Sequence, residues 1–304
     1  MQYGRRSPKN APAIRLTPLL TGVLPTHPPA ADYLAKLKGW QMLGNDQYGD
    51  CVAVTWANIR RLVTAALAGK ESYPSLAEVE ALYKTQNPDF PSQDDGMDIQ
   101  TCLEYLVKHG GPDGIKALGF AKVDHTNFDE VEDAIAIFGS VWTGVNVLQA
   151  NMDDFNAGRP WDYYPYSPVD GGHSVITGGY DDNPSFPFIT WAEETEFRDA
   201  FWTHEVEEAW VVIWPEMLKN PDFLAGMNLA QFAADYKAIT GKDFPVVVPP
   251  TPAPTPAPTP APSFVKQALQ RALAVAKKEL ANAKKIETAA AEDIAELEKA
   301  LANL

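Results

Sequence analysis

The sequence predicts an α+β body with two lobes, a helical lobe followed by an antiparallel β lobe. The first observation is a series of helical periodicities before residue 111, each opened by a capping residue. The second is a set of short β-rich runs between Phe120 and Trp214, separated by turns. Helices that precede strands in this way are typical of α+β proteins. We therefore expect one body over residues 32–244, with other segments on either side of it.

The segment before this body, residues 1–31, is rich in proline and lacks periodicity. It contains Arg5, Arg6, Lys9 and Arg15 but no acidic residue. This pattern predicts an extended basic arm that lies on the body or on a partner. A partly disordered leader is the alternative.

Three helices are predicted for the helical lobe. The run of about seventeen residues that starts at Cys51 has helical periodicity, and Asp50 is its candidate N-cap. Ser75 is expected to cap a second helix and Asp98 a third, which ends at Gly110. The first of these helices is apolar enough to be buried.

The β lobe is predicted from residue 120 onwards. A strand at 120–123 and a helix opened by Asn127 or Asp129 are followed by strand-like runs, which are SVWTGVNVL, HSVITGGY, FITWA and AWVVIW. Short β-rich runs bounded by turns indicate antiparallel strands. Residues 216–243 add helical segments that close the body.

The last part of the chain differs in composition from the body. Residues 245–262 alternate proline with Ala and Thr, which predicts a semi-rigid polyproline II linker. Residues 263–304 carry heptad-spaced Leu and Ala, which predicts a C-terminal amphipathic helix with a thin coiled-coil seam. We expect it to bind a protein partner or to self-associate; a solvated single helix is the alternative.

The composition limits the function. The net charge of −15 argues against a nucleic-acid partner, because attraction to phosphate has the wrong sign. No apolar run is long enough for a membrane span, and no signal peptide or metal-ligand spacing is evident. No cofactor is implied.

Cys51 is a candidate nucleophile because of its position. The N-terminus of a helix favours a thiolate, which is the nucleophilic form of cysteine. The simpler interpretation is a small buried core residue, as we also expect for Cys102 on the third helix. We do not expect the two cysteines to pair.

A cysteine nucleophile needs an imidazole base. Of the five histidines, His173 is the best candidate, because it opens a β-rich run after Gly171–Gly172 and would lie at the mouth of a cleft. Taken alone, a histidine in this position is more often structural.

The order of these segments resembles the papain-like cysteine peptidase superfamily from about residue 40 to 215. The segments that carry the resemblance are GNDQYGDCVAVTWA, GMDIQTCLEYLVKHGG, FDEVEDAIAIFGSVWTGVNV, DDFNAGRPWDYYPYSPVDGGHSVITGGYDD and FITWAEETEFRDAFWTHEVEEAWVVI. The resemblance implies a two-lobed fold, with Cys51 as nucleophile, His173 as general base and Asn45 as oxyanion donor. Asn45 stands where the family has a glutamine.

One family residue is missing. The asparagine that orients the histidine usually precedes a tryptophan by two residues; if that tryptophan is Trp191, the position is held by Ile189. Thr190, Glu193 or Asp181 could replace it. Asp50 would oppose thiolate formation unless its carboxylate caps the helix.

Two functions follow from the resemblance. One is a cysteine hydrolase, a peptidase or amidase, tethered to an assembly by its C-terminal helix. The other is an inactive papain-like binding or structural protein, such as a phage virion-associated component. The chain is also similar to uncharacterised bacterial and phage proteins that share the Asn45–Cys51 signature, which implies a bacterial or phage setting. Because neither a signal peptide nor a membrane span is evident, we expect a cytoplasmic or virion-associated location.

Overall fold

The structure is a computed structural model that describes residues 1–9, 11–20, 28–181 and 185–244. The predicted linker, 245–262, and the predicted C-terminal heptad helix, 263–304, lie outside these residues. The α+β fold with a helical lobe and an antiparallel β lobe is confirmed within the described part.

The helical lobe contains the three predicted helices: α1 at Cys51–Leu67, α2 at Leu76–Tyr83 and α3 at Ile99–Lys108. The capping predictions are confirmed at two of them. The Ser75 side chain caps α2 in a capping box, and the Asp98 carboxylate accepts from the Thr101 backbone N–H at 2.7 Å. Asp50 occupies the N-cap position of α1, but its side chain makes no capping hydrogen bond.

Helix α1 is buried all round rather than along one face, from Cys51 to Thr64. Two charged residues of this helix, Arg60 and Arg61, are therefore buried. Arg60 pairs with Asp113 at 2.7 Å and with Glu216 at 2.8 Å, which compensates the cost of burying its guanidinium group. The helix is thus fixed on both sides, and its N-terminus is held in place.

The β lobe is a six-stranded antiparallel sheet. Its strands are β2 Gly119–Val123, β3 Val141–Leu148, β4 Val169–Thr177, β6 Ser185–Thr190, β7 Glu193–Arg198 and β8 Val206–Ile213. Their spatial order is β2-β8-β3-β4-β6-β7. A second pairing joins β1 Ala31–Asp32 to β5 Gly179–Tyr180.

Five α-helices accompany the sheet in the described residues. They are α4 Phe128–Phe138, α5 Gln149–Asn156, α6 Asp199–Glu205, α7 Pro221–Gly226 and α8 Leu229–Thr240. Helices α5 and α6 and strand β7 were not among the sequence predictions. All three are polar stretches whose apolar residues are too few to show a period.

Residues 1–9 and 11–20 lie along the body. Leu16 and Leu19 are fully buried, and the chain beside them pairs with β2, with Leu16 N–H donating to the Lys122 carbonyl at 2.9 Å. Residues 2–6 continue across the junction of the two lobes, where the candidate site is found.

Candidate active site

Cys51 is the first residue of α1, and its side chain is buried, with 1% exposed. The backbone N–H groups of Ser174 and Gly4 lie near the sulfur and oppose the effect of burial on the pKa of the Cys51 thiol. One turn further along α1, the Ser174 hydroxyl donates to Thr55 Oγ1 at 3.1 Å. These contacts hold β4 against the N-terminus of α1.

His173 precedes Ser174 on β4 and is also 1% exposed. Its Nε2 lies 2.8 Å from the hydroxyl oxygen of Thr190 on β6. Its Nδ1 is buried and has no hydrogen-bond partner among the described residues. Nε2 is therefore fixed by a hydrogen bond, and Nδ1 is free to accept a proton from a reacting group.

The indole of Trp191 covers the imidazole of His173, with ring centroids 4.6 Å apart. Trp191 and Ala192 form the two-residue turn between β6 and β7, and their φ angles are +44° and +66°. Positive φ at both central residues is what a tight hairpin turn of this length requires. For a tryptophan this backbone conformation is strained, and packing against His173 and Trp161 compensates it.

Of Thr190, Glu193 and Asp181, which the sequence leaves open as substitutes for the missing asparagine, Thr190 is the one hydrogen-bonded to His173. Ile189, in the position of the usual asparagine, is buried and has no polar atom to offer. Glu193 and Asp181 are exposed at the surface. Which residue contacts His173 depends on the register of the β6–β7 hairpin. The turn at Trp191 and Ala192 sets this register, and no sequence motif indicates it.

Asn45 lies in the loop before α1 and is 2% exposed. Its side-chain Nδ2 donates to the Tyr48 carbonyl at 3.1 Å and to the Gln2 carbonyl at 3.4 Å. The amide is thus directed at a backbone carbonyl of residues 2–6, which cross this part of the site.

Residues 2–6, here called the cleft segment, fill the groove between the lobes. The N–H groups of Gly4 and Arg5 donate to the Gly172 carbonyl at 3.2 and 3.0 Å. On the other side Met97 N–H donates to the Gly4 carbonyl at 2.7 Å, and Arg6 N–H to the Met97 carbonyl at 2.8 Å. The cleft segment is therefore hydrogen-bonded to both walls of the groove.

The fit at Gly4 is so close that only glycine can occupy it. A Cβ at this position would lie 1.7 Å from the carbonyl oxygen of Gly49. The neighbouring Tyr3 ring contacts His173 edge-on, with centroids 6.1 Å apart. Together these residues close the site to solvent.

Burial sets the protonation states in this closed arrangement. It raises the pKa of the Cys51 thiol to about 12, and the Asp50 carboxyl adds to this effect. It lowers the pKa of His173 to about 3, with the charge of Arg5 as a second cause. Burial also raises the pKa of Asp50 to about 8. In the closed site the Cys51 thiol and the His173 imidazole are therefore both neutral.

Other chemistry is not evident in the part of the chain that the structure describes. There, no group of three or more His, Cys, Asp and Glu side chains is placed to hold a metal ion, and no helix combines the length and apolarity needed to cross a membrane. Cys51 and Cys102 are both free thiols, and Cys102 is buried on α3.

The chain is similar in structure to several solved proteins. Xylellain, a cysteine protease from Xylella fastidiosa, superposes with a TM-score of 0.58 at 16% identity, over 70% of this chain and 96% of its own. Procathepsin L 3 of the Tenebrio molitor larval midgut gives 0.51 at 12% identity, over 69% of this chain and 76% of its own. Procathepsin B S9 from Trypanosoma congolense gives 0.51 at 12% identity, over 70% and 86%.

No protein-family model matches the sequence, and no curated protein does. The structural similarity is therefore evidence for the fold. The chain has a papain-like cysteine protease fold, as the sequence resemblance predicted.

Proposed function

We propose that this protein is a papain-like cysteine hydrolase that cleaves a peptide or amide bond through Cys51. His173 acts as general base and Asn45 as an oxyanion donor. The observation that carries the proposal is the hydrogen bond between His173 and Thr190. It holds Nε2 and leaves Nδ1 unpartnered on the strand that contacts the Cys51 sulfur.

Two proton transfers accompany formation of the thioester, and its later hydrolysis by water gives the acid product and returns a proton to the sulfur. The thiol proton passes to His173 as the sulfur attacks the substrate carbonyl carbon, and a C–S bond forms. The carbonyl oxygen becomes an oxyanion, which the Asn45 amide and the first-turn N–H groups of α1 stabilise. The C–N bond then breaks, His173 gives its proton to the leaving amine, and water hydrolyses the thioester.

The structure represents a closed form of such an enzyme. A sulfur that is 1% exposed and covered by Gly4 does not reach an external substrate. The cleft segment must leave before hydrolysis, and water that then enters would relieve the burial that keeps both groups neutral.

The proposal is tested by alkylating Cys51 with iodoacetamide in a Gly4→Ala, Cys102→Ser protein, with and without His173→Ala. The extra methyl displaces the cleft segment, and the second change leaves Cys51 as the single thiol. We expect rapid labelling at pH 6 that falls at least tenfold without His173, because the imidazole stabilises the thiolate. Labelling that begins only above about pH 8.5 and ignores His173 would exclude a hydrolase.

The second candidate is a binding or structural protein that keeps this fold without catalysis, for example a phage virion-associated component. The basic arm, the linker and the heptad helix favour it, because such segments tether a domain to an assembly. Under this proposal residues 263–304 bind a protein partner or self-associate. Light scattering of the full chain and of residues 1–262 tests self-association, since equal monomeric masses would rule it out.

A further inference from the structure

The side chain of Arg5 is enclosed in a recess of the β lobe, next to the candidate nucleophile. Its side chain is 1% exposed. The backbone of the residue before it, Gly4, lies near the Cys51 sulfur and lowers the pKa of that thiol, and its N–H donates to the Gly172 carbonyl at 3.2 Å. The recess therefore begins one residue away from the reacting atom. We call it the Arg5 recess and define it by Gly144, Val145, Asn146, Glu207 and Glu208.

The walls of the Arg5 recess match a guanidinium group. The Arg5 Nη2 donates to the Val145 carbonyl at 3.1 Å, to Asn146 Oδ1 at 3.2 Å and to Glu207 Oε2. Its Nη1 donates to Glu208 Oε1 at 3.3 Å. Two carboxylates and two further acceptors are thus arranged around one planar cation, a geometry that suits arginine better than lysine.

A bulge in β8 brings both glutamates to the same side chain. Consecutive residues of a regular strand point to opposite faces of the sheet. Here the pairing of β3 with β8 shifts register, from Gly144 opposite Glu208 to Val145 opposite Val206, so that Glu207 is an extra residue. Bulges of this kind redirect side chains, often beside active sites.

Gly144 makes the space for the guanidinium stem. A Cβ at this position would lie 2.7 Å from both Arg5 Cδ and Glu208 Cγ. A side chain here would fill the floor of the recess, so the sequence of β3 itself leaves room for an arginine.

The buried carboxyl group of Glu208 is placed to pair with a cation in this position. It is 0% exposed, and its second oxygen accepts from Trp210 Nε1 at 2.7 Å. Burial raises its pKa, and the nearby Arg5 works in the opposite direction. When the cleft segment leaves, this carboxylate loses its partner, and a substrate that supplies a guanidinium restores the pair.

We propose that the Arg5 recess is a specificity subsite for an arginine side chain of the substrate, for which the cleft segment is an intramolecular competitor. This inference rests on the proposed hydrolase function, and it narrows the substrate class to peptides or amides with an arginine close to the bond attacked by Cys51. Peptide binding measures the Arg5 recess and alkylation of Cys51 measures the catalytic residues, so the two proposals can fail independently.

The test measures binding of two tripeptides to the full chain carrying Gly4→Ala and Arg5→Met, by isothermal titration calorimetry. Gly4→Ala displaces the cleft segment, and Arg5→Met empties the recess while keeping an unbranched stem. The probes are acetyl-Tyr-Gly-Arg-amide and its citrulline counterpart, which is neutral but nearly isosteric. We expect the arginine peptide to bind at least about tenfold more tightly, because its charge meets two carboxylates.

A third substitution, Glu208→Gln, is expected to reduce this preference to less than about threefold. The matched control is Arg6→Met alone, since the Arg6 guanidinium donates to the exposed Asp95 carbonyl at 2.9 Å, and with Gly4 unchanged the recess stays filled by Arg5. This control should bind the arginine peptide at least about tenfold more weakly than the Gly4→Ala, Arg5→Met protein does. Equal affinity of the two peptides for the Arg5→Met protein, or no binding of either, would overturn the proposal.

Competition on the unsubstituted protein gives a second measurement that does not depend on these variants folding. Excess arginine peptide should accelerate Cys51 alkylation by displacing the cleft segment, and the citrulline peptide should not. Equal effects of both peptides contradict the inference. Arginine-selective binding together with alkylation that ignores His173 would instead retain the recess and reject the hydrolase.

Discussion

The Thr190 hydroxyl lies 2.8 Å from Nε2 of His173, and this contact joins the end of β6 to the middle of β4. A hydroxyl both donates and accepts, so it can serve either tautomer of the neutral ring and can accept from the imidazolium. An asparagine oxygen would favour only the forms in which Nε2 carries the proton. Thr190 is thus a positioning residue that holds the ring but fixes its tautomer less strictly.

Replacing Thr190 with valine should make the His173 imidazole less basic, while a side chain of similar volume still fills the Thr190 position. In the Gly4→Ala background we expect about tenfold slower alkylation of Cys51 at pH 6, because the imidazolium loses its hydrogen-bond acceptor. The midpoint of the imidazole titration should also move to lower pH. Thr190→Ser keeps the hydroxyl and should retain both the alkylation rate and the titration midpoint of the Thr190 protein.

A purely structural role for Thr190 predicts a different result. Valine and serine would then change the midpoint of thermal unfolding, while the pH profile of alkylation stayed the same in both. The profile, recorded from pH 4 to pH 9, separates the two roles.

Displacing the cleft segment should expose Cys51. A Cβ on residue 4 would lie 1.7 Å from Gly49 O and 2.2 Å from Gly49 C, which are backbone atoms that cannot move aside. We therefore expect Gly4→Ala to raise the rate of Cys51 alkylation at pH 7 at least about a hundredfold over the unsubstituted protein, since a thiol with a normal pKa is far more ionised than one near 12. Mass spectrometry of the labelled cysteine measures this rate.

Two controls accompany this measurement. Ser7→Ala alters an exposed residue of the same arm and should leave the rate unchanged. Cys102 is fully buried on α3 and should stay unlabelled in every variant. Labelling of both cysteines at equal rates would mean that the substitution unfolds the protein.

Much of the helical lobe could be predicted from the sequence because its signals are local. Ser75 and Asp98 lie within three residues of the N–H groups they cap, and the α1 periodicity is continuous from Cys51. The strands with β-branched runs were predicted for the same reason. By contrast, β7 reads EETEFR, a polar sequence that becomes a strand because β6 pairs with it.

The site was only partly predictable because its decisive contacts are long-range. Cys51 and His173 follow from the resemblance, but the Thr190 contact depends on a hairpin register set by φ angles at Trp191 and Ala192. The contact between Arg5 and Glu208 spans 203 positions and depends on a bulge. No local pattern in either segment indicates that contact.

Removing the Asn45 amide should affect hydrolysis but not alkylation. Only the acyl-transfer reaction develops an oxyanion, so loss of the donor should reduce peptide hydrolysis about a hundredfold or more in the Gly4→Ala background. Asn45→Ala should leave the iodoacetamide rate within about threefold of its parent. A parallel fall in both rates would indicate that Asn45 supports the loop before α1 through its Tyr48 contact, rather than the reaction.

The buried Asp50 should make the protein less stable as the pH rises. Its pKa is raised from 3.8 to about 8 in the folded protein, mainly by burial. Below pH 4 both the folded and the unfolded chain carry the proton, and the group costs little. Between pH 4 and pH 8 the unfolded chain releases the proton while the folded chain retains it, so the free energy of unfolding falls by up to about 1.4 kcal/mol per pH unit.

Asp50→Asn lacks this proton, so its stability advantage over the parent should grow from pH 4 to pH 8 and level off above. Urea unfolding at each pH measures the difference, and Asp46→Asn, at an exposed position of the same loop, is the control that should show no such trend. A constant difference in the free energy of unfolding between Asp50→Asn and its parent across this range would show that Asp50 ionises normally in the folded protein. Its carboxylate would then oppose the Cys51 thiolate with a full negative charge one residue away.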